Sequence, residues 1–445
     1  MRTLTGLLAK GMLAAGAGLL GTLYLYGTFR RRAPYDMVNV PAADDPRFLL
    51  TVIGLSDSMS AIGDVTGFWV EADAIWRARL KAIRRAQRTI HFETFYMTPG
   101  RRADDFAEAL IARREAGVEV RLIIDVAGSN QMPQSYWERL EAADIELHRF
   151  RPFDWHSPMD YLARTHRKLL LVDGEKAYIG GAGVSDDWDG KPEIGDKRPW
   201  RDLEIRLEGP VVGVLEGGFM QNWLCEGGTL DMEASAYRGA TRQQAALALP
   251  VGALAEQEPK QPERTIVITS GSFSIDNSGP AMLYQTSIEA ACKRVWIATP
   301  YFAPDDTTTD RLLEAARRGV DVRVVTMGPC NDRQFVRWAA HALYGPFLEA
   351  GVRIYEYAPA MLHAKVLLVD NCWVSTGSAN FDHLSFFHND ELNVSTTDPQ
   401  LVEAVSEFFE ETFADACEFD FESWRRRRMH ERLRDSACSG FRRIY

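Results

Sequence analysis

Two short stretches of the chain each set an imidazole and an ammonium at the entrance of an apolar run. One is His166-Arg167-Lys168, followed by Leu169 to Val172 and Asp173. The other lies 197 residues on: His363-Ala364-Lys365, then Val366 to Val369 and Asp370. Residues i and i+2 of a strand share a face, so each copy presents its His and Lys side by side at the mouth of a buried strand. An imidazole can attack phosphorus or carry a proton, and a fixed ammonium neutralises phosphate oxygens as charge builds. Two such pairs suggest two halves closing on one phosphodiester, one histidine attacking and the other serving as acid and then base. Lys168, Lys365 and Asn380, the last in Gly377-Ser378-Ala379-Asn380, are placed to hold the non-bridging oxygens. The sequence has no His-Glu-x-x-His and no Cys/His group with metal spacing, so this chemistry calls for neither metal nor cofactor.

The elements that must position these residues occur twice. Ala74 to Arg88 has helical spacing of apolar residues, Thr89 to Pro99 reads as a strand running into a loop, Ala103 to Glu115 as a helix and Val118 to Asp125 as a buried strand. The order returns as Pro280 to Lys293, Arg294 to Pro304, Arg311 to Arg318 and Gly319 to Val325, at offsets of 205 and 202. Matching segments at nearly constant offset mark an internal repeat. Alternating helix and strand predict an α/β fold with a mixed, largely parallel sheet flanked by helices in each half. A further strand is expected at Phe48 to Ile53. The expected organisation is residues 1–32 as a membrane anchor, 33–228 as the first half, 229–263 as a Gln/Glu/Pro-rich linker, 264–415 as the second half and 416–445 as a basic tail.

The paired H-x-K-x4-D text with a downstream G-S-x-N resembles the phospholipase D superfamily. Gly377 to Ser385 and Asn389-Asp390-Glu391-Leu392-Asn393 resemble its bacterial cardiolipin synthase branch, with the likeness covering the chain from about Trp76 to Phe413. The resemblance implies two halves facing each other across a pseudo-twofold axis, with both histidines at the seam. It implies His166 as nucleophile through a phosphohistidine and His363 as acid and base. It implies carboxylate partners too: Glu391 for His363, and Asp202 for His166. Ser378 and Asn380 would orient or bind phosphate. Asp173 and Asp370 complete the motifs and count among the catalytic candidates, although residues that end apolar runs fit better as ties for loops. One departure stands out: the Asn of the second motif is replaced in the first, Gly180-Gly181-Ala182-Gly183, by Gly183. That removes one amide donor from the first half.

The implied reaction moves a phosphatidyl group between phosphatidylglycerol molecules and releases glycerol. A phospholipase D that hydrolyses phospholipid is the alternative, and a non-catalytic lipid-binding scaffold the next. A net charge of -11 argues against a nuclease, so no nucleic-acid partner is expected. The six cysteines are scattered without framework spacing. The uncharged run from Gly11 to Phe29, 19 residues, is long enough at 1.5 Å per residue for about one hydrocarbon core. Followed by Arg30, Arg31 and Arg32, it is expected to be an uncleaved single-pass anchor in the cell (inner) membrane, with the catalytic body on the cytoplasmic side. The arginines after Trp424 form a basic patch suited to anionic headgroups.

Overall fold

The structure is a computed structural model and describes residues 2–25, 27, 35–157, 160–229, 264–272 and 278–440. Most of the expected linker, from residue 230, lies outside these residues, as do Arg30 to Arg32 and the arginines at 442 and 443. The chain opens with α1 (Arg2–Leu25), α2 (Pro46–Leu55) and β1 (Met59–Ile62). The first half follows as β2 (Asp64–Glu71), α3 (Ala72–Arg85), β3 (Thr89–Thr94), α4 (Arg101–Glu115) and β4 (Glu119–Asp125). It continues through α5 (Gln134–Ala142), β5 (Glu146–Phe150), β6 (Lys168–Val172), β7 (Lys176–Gly180), β8 (Arg201–Glu208) and α6 (Val211–Cys225).

The second half begins with β9 (Thr265–Ser270), α7 (Gly279–Glu289), β10 (Arg294–Ala298), β11 (Phe302–Ala303), α8 (Asp306–Arg317) and β12 (Asp321–Met327). Next come α9 (Gln334–Glu349), β13 (Arg353–Tyr357), β14 (Val366–Val369), β15 (Trp373–Gly377), β16 (Phe381–Asp382) and α10 (His383–Phe387). The described chain ends with β17 (Leu392–Thr396), α11 (Pro399–Ala414), β18 (Ala416–Phe419), α12 (Phe421–Arg425) and α13 (Met429–Ser439).

The first sheet has the order β2-β8-β7-β6-β3-β4-β5, and the second contains β9-β17-β15-β14-β10-β12-β13, the same order strand for strand. Within these two orders only β3-β4-β5 and β10-β12-β13 run parallel, and the other neighbours are antiparallel; β11 and β16 form a separate parallel pair. Each sheet is therefore mixed as expected, but largely antiparallel where a largely parallel one was expected. The strand after each H-x-K is joined to the next by a tight turn, and a tight turn makes a hairpin, not a crossover.

The two sheets pack face to face. Leu169 and Leu171 of β6 meet the layer that holds Val366 and Leu368 of β14, while Leu170 and Val172 point outward under α3–α5, and Leu367 and Val369 under α7–α9. The period of two thus buries both faces of each motif strand, which is why these strands read as continuous apolar runs.

Three expectations around the termini change. Phe48 to Ile53 is helical, not a strand, because Asp45 caps the Arg47 N–H and Pro46 opens the first turn. That helix, with β1 pairing on β9, builds onto the second half although it precedes the first. The expected basic tail begins inside the second half, where β18 extends the second sheet beside β13. Finally, the described part of α1 reaches Leu25, and among the described residues no helix is long and apolar enough to cross a membrane. The expected span was to reach Phe29, beyond the described part of the helix.

Candidate active site

Each H-x-K strand is fastened at its far end by its aspartate. Asp173 sits at φ 59 and accepts the N–H groups of Gln87, Arg88 and Thr89; Asp370, at φ 52, accepts those of Cys292, Lys293 and Arg294. Both carboxylates are consumed in starting β3 and β10. They stand seven residues of extended chain from their histidines, about 23 Å at 3.3 Å per residue. Neither is a catalytic group in this geometry, which corrects their inclusion among the catalytic candidates.

At the near end, the two halves are bolted together through the histidines. The His166 N–H donates to the Asp390 carbonyl at 2.8 Å, and its Nδ1 lies 3.0 Å from both Glu391 carboxylate oxygens. The His363 N–H donates to the Arg201 carbonyl at 2.7 Å, and its Nδ1 lies 2.9 Å from Asp202 Oδ2. The partners are therefore crossed: Glu391 serves His166 and Asp202 serves His363, the reverse of the expected pairing. The reason is topological. Within one sheet, β7 separates β6 from β8 and β15 separates β14 from β17, a gap of about 10 Å at two strand spacings. The facing sheet brings the other half's carboxylate into contact.

Each carboxylate is held in turn. Trp188 Nε1 donates to Asp202 Oδ2 at 2.9 Å and the Leu203 N–H to Oδ1 at 2.8 Å. Glu391 receives the hydroxyl of Ser378, which accepts the Leu392 N–H. The glycines of the first motif follow from the same packing. A Cβ on Gly181 would sit 2.2 Å from Asp202 Oδ1, and one on Gly183 would sit 2.4 Å from the Tyr96 carbonyl oxygen. Asparagine at position 183 would be overpacked, because the backbone leading out of β3 already fills that volume. In the second motif Asn380 is buried, and its side chain bonds Asp382.

Both lysines are almost fully buried, and each donates to the carbonyl of its own histidine at 2.6 Å. Lys365 Nζ also lies 3.0 and 3.1 Å from the two ring nitrogens of His363. Burial and the mutual repulsion of the two ammonium groups pull Lys168 down to about 7, and burial pulls Lys365 to about 8. Burial, followed by the nearby lysines, lowers His166 to about 4 and His363 to about 3, against the opposing carboxylates. Burial works against ionisation of Asp202, but His363 and Lys365 overcome it and hold the group at about 2; Glu391 is lowered through His166 and Lys168. The site thus holds two carboxylates, two lysines and two neutral rings. A carboxylate can only accept, so each Nδ1 carries the proton and each Nε2 the lone pair. The histidine side chains keep 13% and 11% of their surface open while both carboxylates keep none, so the rings form the reachable floor of the site.

Several residues that the sequence reading passed over complete the site. Phe95 meets the His166 ring edge-on at 5.4 Å, and Trp188 and Trp200 flank His363 at 5.1 and 5.9 Å. Asp382 is pushed up to about 7 by burial and lies within the field of Lys365. Glu93, raised by burial, accepts the Thr165 hydroxyl just ahead of His166. A glutamate two residues after His91, on the same face of the strand Thr89–Thr94, was the available sign of it. The aromatic walls left no sign, because tryptophans at such spacing read equally well as core.

Two imidazoles from opposite halves, each oriented by a carboxylate and backed by a buried lysine, define a two-histidine centre for handling phosphodiesters. Residues 80–187 and 284–413 match the family described as "Cardiolipin synthase, PLD-like domain". The chain belongs to this family of phospholipase D-like enzymes. It is 32% identical over 366 residues to cardiolipin synthase A of Pseudomonas syringae pv. syringae (strain B728a), covering 81% of this chain and 71% of that one. Cardiolipin synthase 2 of Bacillus anthracis is 31% identical over 367 residues, covering 82% of this chain and 67% of the relative. Among solved structures, phosphatidylserine synthase from Haemophilus influenzae Rd KW20 shares the fold with a TM-score of 0.63 at 14% identity, covering 89% of this chain and 97% of that one.

Proposed function

We propose that the protein is a phosphatidyltransferase of the cardiolipin synthase type, moving a phosphatidyl group between two phosphatidylglycerol molecules through a phosphohistidine. The observation that carries this reading is the crossed pair of histidine–carboxylate bonds, His166–Glu391 and His363–Asp202, which sets two imidazoles at one seam. His166 is the nucleophile and His363 the acid and base. Lys365 lies against both ring nitrogens of His363, whereas Lys168 reaches only the His166 carbonyl and leaves that ring's Nε2 lone pair free.

In the first step Nε2 of His166 attacks phosphorus, the bond from phosphorus to the glycerol oxygen breaks, and protonated His363 gives its proton to the departing alkoxide. Glycerol leaves. In the second step the headgroup hydroxyl of another phosphatidylglycerol passes its proton to His363 and attacks phosphorus, freeing His166. Lys168 and Lys365 hold the non-bridging oxygens throughout, and Asn380 and Ser378 fix the loop beside them.

The lipid reaches the site from a bilayer surface. On the segment leading to His166, Trp155 is 83% and Phe153 49% exposed, edge to face at 4.8 Å, with Tyr161 beside them. Exposed aromatic residues of this kind favour the membrane interface. Purified protein given phosphatidylglycerol alone should yield cardiolipin and free glycerol in equal amounts, and His166→Ala and His363→Ala should each abolish both products. Phosphatidic acid as the only lipid product would replace this reading with the hydrolase.

A further inference from the structure

The two halves repeat strand for strand, yet one groove is covered in the second half and open in the first. In the second half, the segment after residue 35 lies over α7 and the start of β15. Tyr35 reaches Met282, Met37 reaches Thr286, the Ala43 N–H donates to the Ala290 carbonyl, and Phe48 meets Trp373 edge-on at 5.2 Å. The internal repeat maps these four positions onto Arg77, Lys81, Arg85 and Lys176. The mapping follows from matched hydrogen bonds, since Gln87, Arg88 and Thr89 bind Asp173 as Cys292, Lys293 and Arg294 bind Asp370.

No segment covers the first-half groove among the described residues. It encloses about 440 Å³ beneath α3, with Trp69, Ala78 and Val172 on its apolar wall. Five cations line it: Arg77, Lys81, Arg85, Lys176 and Arg206. Asp73 lies 3.9 Å from Arg77, and Glu208 lies 3.2 Å from Arg206. Among the described residues, Lys81, Arg85 and Lys176 have no carboxylate within ion-pair distance. The one carboxylate lining the groove, Asp173, is taken up by three backbone N–H groups. Three uncompensated cations converging on one concavity are unexpected in a chain of net charge -11. The volume is that of a small-ligand site.

We propose that this groove is a second anion site, separate from the histidine centre, which takes a phosphate ester between α3 and the β6–β7 turn. The catalytic lysine Lys168 begins β6 and Asp173 follows its end, so the two sites lie at opposite ends of one strand. Lipid headgroups and soluble phosphates share the recognised chemistry, and the test separates them.

Full-length protein is titrated with inorganic pyrophosphate, and separately with phosphatidylglycerol vesicles against phosphatidylcholine vesicles. Two variants are compared with the parent: Lys81→Ala/Arg85→Ala/Lys176→Ala, which removes the charges, and Ala74→Trp, which fills the groove and leaves every charge in place. The groove reading expects both variants to lose one binding event, with affinity at that event reduced about a hundredfold by the charge removal. Loss confined to vesicles assigns the site to a headgroup; loss confined to pyrophosphate, or of both ligands, assigns it to the phosphate group itself. Binding unchanged in both variants overturns the proposal. So does weakening in the charge variant alone, because that is general surface attraction and not a site.

Discussion

Binding of a phosphodiester should draw about one proton into the site. Among the protein's own groups His166 is lowered to about 4 and His363 to about 3, so both rings are neutral at pH 7, and Lys168, at about 7, is half protonated. A phosphodiester brings one fixed negative charge. At about 4 Å and an effective dielectric near 20, that charge favours a protonated neighbour by about 4 kcal/mol, about a thousandfold in proton affinity. Such a gain brings His166 into its titration range near neutrality and saturates Lys168, so together they gain about one proton at pH 7. That proton must reside on His363 when His166 attacks, because an attacking ring must be neutral and a neutral ring cannot protonate the leaving alkoxide. Calorimetric titration with glycerophosphoglycerol in buffers of differing ionisation enthalpy reads the number directly. Affinity should fall as pH rises above neutrality, and His166→Gln should remove about half of the uptake. Binding with no proton exchange, or with proton release, would refute the charge balance on which the acid role of His363 depends.

Three further outcomes follow from the geometry. A double-mutant cycle in denaturant should find coupling of about 0.5–3 kcal/mol between His166→Ala and Glu391→Gln, and near-additivity between His166→Ala and Asp202→Asn; the opposite pattern would restore the uncrossed pairing. Gly183→Asn should cost about 1–3 kcal/mol by overpacking against the Tyr96 carbonyl, read as a lower urea midpoint, with no gain in turnover. Stability of the ligand-free protein should also fall on acidification. The folded histidines titrate below their ordinary 6.5, so the unfolded chain takes up protons that the fold refuses. This contribution is complete above about 6.5 and is lost as pH drops toward about 4 and then about 3. The urea midpoint measured against pH should show a shallower acid slope in His363→Gln than in the parent.

The chain's own text determined the repeat, the two strand mouths and the identity of the reactive side chains. Those features live in local spacing: His and Lys two apart before four apolar residues are legible without any contact map, as is the recurrence of helix and strand at a nearly constant offset. Loop ties at Asp173 and Asp370 were legible for the same reason, from their place at the end of an apolar run. The tertiary structure decided which carboxylate serves which histidine. Asp202 and Glu391 each belong to one half but act on the other, and a pairing made across two facing sheets has no periodicity within either strand. The absence of Asn at position 183 likewise acquires a cause only when the Tyr96 carbonyl is seen in its place. The same holds for the helix at Pro46–Leu55, whose Asp-Pro start outweighed the β-branched and aromatic text that follows. Burial is also a tertiary property. It made neutral bases of the two histidines and weakened the two lysines, while Asp202 and Glu391 stay anionic against burial only because a histidine and a lysine face each of them.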